Sequence, residues 1–157
     1  MKQIAALFAA LLAATGGTAQ TPVGRVSIGL QAGYNFNDLN RPAVGGHLLV
    51  GLPAGLAFYP AAQGYFVRSG SLWRASATLR WAPPTRAVTP YVAVGPYWSK
   101  RSGAGAQTVE SGVISQFGTE GTLNRIRPFA ELQFLLGAAF SSEFSCGARV
   151  TIGRWRV

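Results

Sequence analysis

The sequence predicts an all-β fold: a closed antiparallel up-and-down transmembrane β-barrel of about eight strands. Three observations lead there. First, residues 25–36, RVSIGLQAGYNF, alternate without exception: Val26, Ile28, Leu30, Ala32, Tyr34 and Phe36 share one face, and Arg25, Ser27, Gly29, Gln31, Gly33 and Asn35 share the other. A period of two is the mark of a strand with one apolar and one polar side. Second, such segments recur at about ten residues, the length that a tilted strand needs to cross a bilayer. Third, Trp73 and Trp81 lie on one face of one segment, eight residues apart. That is about 26 Å along a strand and roughly 20 Å of height after a tilt of about 40°, close to the apolar band between two aromatic girdles.

Residues 1–19 read as a secretory signal peptide. Lys2 supplies the positive start, Ile4 to Ala14 the apolar run, and Gly17 and Ala19 the small residues before a cleavage site. The run is too short for a membrane-spanning helix, which needs about 20 apolar residues. Residues 20–157 are then expected to form one barrel domain. The only cysteine, Cys146, excludes an internal disulfide and lies far from the leader, which argues against a lipid anchor. The formal charge is +9, and +8 without Lys2. Such a balance suits phosphate-rich partners, and export together with the lack of a basic, aromatic-interleaved element leaves lipid headgroups rather than nucleic acid.

The strands follow in order. After the first comes a hairpin: Val44–Leu52 descends, Pro53-Ala54-Gly55 turns, and Leu56 to about Tyr65 returns, since five glycines or prolines within 45–55 make a helix costly. SLWRASATLRW is the fourth, with Trp73, Ala75, Ala77, Leu79 and Trp81 against Arg74, Ser76, Thr78 and Arg80. TPYVAVGPYW is the fifth, and SKRSGAGAQ after it reads as a loop by composition. The sixth strand falls within TVESGVISQFG. RIRPFAELQFLLG and SEFSCGARVTIGRW give the seventh and eighth. If their turn is centred near Phe140, Glu131 lies opposite Arg149. Parity puts Arg74, Arg80, Glu131 and Arg149 on the inner face, with Glu131 as the main counter-charge. The inner face is otherwise Ser, Thr, Gly, Gln and Asn, which suits a narrow hydrated lumen better than a lysine- and glutamate-rich outer surface.

This order of segments resembles the outer-membrane β-barrel family of small porin-like proteins, the OmpA and OmpX type, over essentially all of residues 20–157. The resemblance implies a bacterial outer-membrane protein whose partners are membrane lipid and, during biogenesis, the barrel-assembly machinery. Members usually end in an aromatic residue, whereas this chain ends Trp155-Arg156-Val157, so Trp155 is the candidate for that position. With both termini at the periplasmic end, Arg68, Lys100 and Arg101 are expected near the outer leaflet, where lipid phosphates lie.

No catalytic chemistry is expected. The one histidine, His47, is followed by Leu48 and Leu49, with no serine and carboxylate placed to make a triad. A single histidine and cysteine give no metal-ligand spacing, and no cofactor is expected. Glu131 and Glu143 flank a turn without a third acid to pair with either. The functional expectation is a monomeric structural or surface-interacting envelope barrel with its lumen plugged by side chains. The alternatives are a small anion-favouring pore or ligand-binding barrel, and a soluble periplasmic barrel of lipocalin type.

Overall fold

The computed structural model describes residues 23–37, 40–83, 88–103, 106–123 and 125–154; the expected signal peptide and Trp155 lie outside them. Eight strands form the barrel: β1 (Arg25–Asn35), β2 (Arg41–Gly51), β3 (Leu56–Tyr65), β4 (Ser71–Trp81), β5 (Val88–Gly103), β6 (Ala106–Gly121), β7 (Ile126–Leu136) and β8 (Phe140–Arg154). Each pairs antiparallel with its neighbour in the chain, and β8 pairs with β1 to close the sheet. The β1–β2, β3–β4, β5–β6 and β7–β8 connections lie at one end, here the upper end.

Alternation governs every strand. In β1, Ser27, Gln31 and Asn35 are buried while Ile28, Leu30 and Tyr34 are exposed. The lower turn between β2 and β3 is a short 3-10 turn at Pro53–Gly55. Proline brings no N–H that would need a partner there, and the chain reverses through positive φ at Ala54 (61°) and Gly55 (74°).

Two expectations are corrected. SKRSGAGAQ is not a loop: Ser99–Gly103 pairs with Ala106–Glu110, so β5 and β6 run to 16 residues each. Its polar composition fits a two-stranded extension standing clear of the apolar belt, where neither face needs to be apolar. The last hairpin turns at Gly137–Ala139, two residues before the expected centre at Phe140. Three small residues make the turn, and Phe140 instead begins β8, stacking on Phe134 with ring centroids 6.2 Å apart. In that register Glu131 faces Ser145, and Arg149 faces Arg127.

Glycines on the inner face make room for large side chains. A Cβ at Gly118 would lie 2.6 Å from the Tyr91 hydroxyl, and one at Gly33 would lie 2.8 Å from a Glu143 carboxylate oxygen. Gly118→Val should therefore displace Tyr91 and cost about 1–3 kcal/mol, as overpacking does. The check is the urea midpoint of detergent-folded protein. Gly64→Ala, where a Cβ meets nothing within 4 Å, should leave it unchanged.

Candidate functional site

The lumen is filled by two linked polar clusters. The upper one is organised by Glu143, which is completely buried. Its carboxylate accepts hydrogen bonds from the Tyr65 hydroxyl (2.6 Å), Gln63 Nε2 (2.7 Å) and Arg74 Nη2 (3.1 Å). An ionised carboxylate only accepts, so it sets the direction of everything attached to it. Gln63 donates to Glu143 and accepts at its Oε1 from Gln31 Nε2 (2.6 Å), which leaves Gln31 Oε1 to accept from His47 Nδ1 (3.1 Å). Four residues on β8, β3, β1 and β2 thus form one directed relay. Arg74 Nη2 also reaches Gln133 Oε1 (2.8 Å), and Gln133 Nε2 donates to Glu131 (2.7 Å).

Tyr91 joins the upper cluster to the lower one. Its hydroxyl donates to Glu131 (2.7 Å), and the Arg80 guanidinium sits 3.7 Å over its ring centroid, a cation–π contact. Below it, one carboxylate serves three arginines. Glu120 Oε2 lies 2.8 Å from Arg80 Nη2 and 3.5 Å from Arg149 Nη2, while Oε1 lies 2.9 Å from Arg127 Nη1. Arg127 and Arg149 are direct cross-strand partners, and like charges in that position repel unless a counter-charge is shared. Glu120 is that counter-charge. His47 packs edge-on against Tyr59 and Phe129, each at 5.0 Å between ring centroids.

The structure places all four expected lumenal residues, Arg74, Arg80, Glu131 and Arg149, in the interior. It does not bring Glu131 and Arg149 together as a cross-strand pair, because Glu131 bonds Tyr91 and Gln133. Nor is Glu131 the main counter-charge: Glu143 holds Arg74, and Glu120 holds Arg80, Arg127 and Arg149. Both glutamates were missed, although Glu143 shares parity with Ser145 and Arg149, and Glu120 with Gln116. Trp73 and Trp81 face outward at opposite ends of β4. The three basic residues expected together near lipid phosphates are split. Arg68 is exposed in the β3–β4 connection, and Lys100 faces outward beside its register partner Trp73. Arg101 has the inner parity and lines a cavity of about 130 Å³ at the upper mouth with Tyr97 and Glu110.

The outward positions of the strands carry charge only at Lys100 and Arg154, at opposite ends of the barrel; every other charged strand residue has the inner parity. Between those levels the surface is apolar, with Ile28, Leu30, Leu79, Val94 and Leu132 exposed. On its lower half a groove of about 430 Å³ runs over Gly118, Thr119 and Ala130, flanked by Trp81, Phe117 and Leu132.

No family model and no curated protein matches the chain. Solved structures do. The N-terminal β-barrel domain of Pseudomonas aeruginosa OprF aligns with a TM-score of 0.67 at 14% identity, covering 83% of this chain and 98% of that one. Ail, the attachment invasion locus protein of Yersinia pestis, aligns with a TM-score of 0.60 at 12% identity over 83% of this chain and 99% of its own. The chain has the fold of the small OmpA/OmpX-type outer-membrane barrels. A de novo designed transmembrane β-barrel also aligns, with a TM-score of 0.62 at 12% identity and coverage of 85% and 100%. The OmpA/OmpX-type fold therefore carries no activity by itself, and the role must be sought in this chain's own residues.

Double-mutant cycles separate contact from mere proximity. Coupling between Arg74→Gln and Glu143→Gln should reach about 1–3 kcal/mol, as expected for a buried contacting pair. Coupling between Glu131→Gln and Arg149→Gln should be clearly smaller. Urea unfolding in detergent measures both.

Proposed function

We propose that this chain is a non-catalytic, integral outer-membrane barrel with a structural or surface-interacting role, exported by its N-terminal leader and closed by its own lumenal side chains. The observation that carries this reading is the outer belt. It is apolar around the barrel, free of charge between Lys100 and Arg154, and marked by Trp73 and Trp81 at its two edges. In water such a belt would far exceed the few hundred Å² of contiguous apolar surface that soluble monomers expose. Lipid is the partner that matches it.

The surface-interacting part rests on the β5–β6 extension. Pairing of β6 with β7 begins at Val113, so Gln107–Gly112 has no β7 partner along that edge, whereas β5 is paired with β4 up to Ser102. An open edge above the belt is where an extended segment of another protein adds as a strand.

The experiment is fractionation. The protein should sediment with outer membranes, resist urea extraction, and change mobility on an SDS gel between unheated and heated samples. Recovery as a soluble periplasmic monomer would overturn the proposal in favour of the lipocalin-like alternative. A single substitution gives an energetic check. Leu30 is 75% exposed near the middle of β1, so Leu30→Arg should cost about 2–4 kcal/mol on folding into lipid vesicles. On a water-facing surface the same change would stay within about 0.5 kcal/mol.

A further inference from the structure

We propose that the lower lumen binds a small inorganic anion of the halide class on Arg149 and Arg80. Both guanidiniums are buried, with 1% and 2% of the residue exposed. Yet Arg149 Nε, Nη1 and Nη2 and Arg80 Nη1 have no hydrogen-bond partner among the described residues. Arg149 has only the 3.5 Å ion pair to Glu120, without hydrogen-bond geometry. A guanidinium carries five N–H donors and accepts nothing, so buried donors of this kind call for an acceptor.

The protein has no carboxylate left to give them. Glu120 is divided among three arginines. Glu131 is occupied by Tyr91 and Gln133, and Glu143 by Tyr65, Gln63 and Arg74. The Tyr59 hydroxyl, also buried and unpartnered, adds a further donor, and the Arg149 guanidinium lies 5.4 Å from the Tyr59 ring centroid.

Charge and size select the ligand class. Three guanidiniums on one carboxylate leave the lower cluster positive, so a neutral acceptor such as water meets the donors without meeting the charge. The lower rim adds Arg25, Arg125 and Arg154, a cationic funnel that draws anions toward the cluster. An eight-stranded bore is filled by its own side chains, which leaves space for a monatomic ion and not for a polyatomic metabolite. The positive ring edges of Tyr59 and Phe129 suit a halide beside them. This inference concerns a resident ion and does not depend on membrane residence or on conduction.

The test is equilibrium urea unfolding of the detergent-folded chain at constant pH and ionic strength, with sodium chloride replaced stepwise by sodium gluconate, whose anion is too large to enter. A ligand bound only by the folded state raises the midpoint in a saturable way. Chloride should do so for the native sequence, and the chloride–gluconate difference should vanish in Arg149→Gln. Glu120→Gln keeps both arginines and removes the competing carboxylate, so it should half-saturate at a several-fold lower chloride concentration and recover part of its lost stability there. Equal midpoints in the two salts for the native sequence would overturn the proposal. So would a difference that survives in Arg149→Gln, or a Glu120→Gln response no stronger than the native one.

Discussion

Closing eight strands into a barrel leaves a bore that side chains must fill, and the rest of this structure follows from that constraint. The outer belt carries no charge between its two edges, so the charged residues of the strands are forced inward. There they meet at low dielectric, where an unpaired charge is costly and a shared one is held firmly. Three fully enclosed arginines, Arg74, Arg80 and Arg149, are met by three enclosed glutamates, Glu120, Glu131 and Glu143. The balance is even in number and uneven in position. Glu131 and Glu143 belong with Arg74 in the upper network, while Glu120 alone faces Arg80, Arg127 and Arg149. The axis of the barrel therefore runs from a hydrogen-bonded acidic half to a cationic lower half.

The aromatic residues inside the bore are structural parts of this arrangement and not surplus bulk. Tyr91 binds Glu131 through its hydroxyl and Arg80 through its face, so one side chain ties a carboxylate above to a guanidinium below. Glycine at 118 is what admits it, because any Cβ there would collide with the phenol. Gly33 does the same for Glu143. The small residues of the polar face thus define where the large ones fit, as in any close-packed interior.

Parity along a strand is local, and it is legible in a single sequence. It assigns the two faces of β1 and β4, the outward Trp73 and Trp81, and the lumenal Arg74, Arg80, Glu131 and Arg149. The span of β3 and the turn at Pro53–Gly55 are legible too, because proline and glycine punctuate the chain there. What parity does not contain is height. The lumenal contacts join strands that are distant around the barrel, such as β3 and β4 with β8, or β4 with β6, and their level depends on the accumulated stagger of every intervening pair. A two-residue error at the last turn was enough to exchange Ser145 for Arg149 opposite Glu131. The long β5–β6 hairpin escaped for a different reason: beyond the apolar belt a strand has no face to reveal it, and Ser-Lys-Arg-Ser-Gly has the composition of a loop.

A lumen built from ion pairs looks uneconomical, since buried pairs often contribute no more stability than apolar side chains of similar size. In this barrel the apolar alternative carries its own defect. If Arg74, Glu143 and their neighbours were replaced by leucine and valine, both faces of each strand would be apolar, and a one-residue slip would cost little. With the polar lumen, the same slip at β8 turns Glu143 and Arg149 outward and brings Phe144 and Val150 into the bore. Each of those moves is penalised on both sides of the sheet at once. The directed relay from His47 through Gln31 and Gln63 to Glu143 adds a second constraint, because it spans β2, β1, β3 and β8 and closes only when all four stand at the right height. The charged interior therefore fixes the register that closes the barrel, whatever its net contribution to stability.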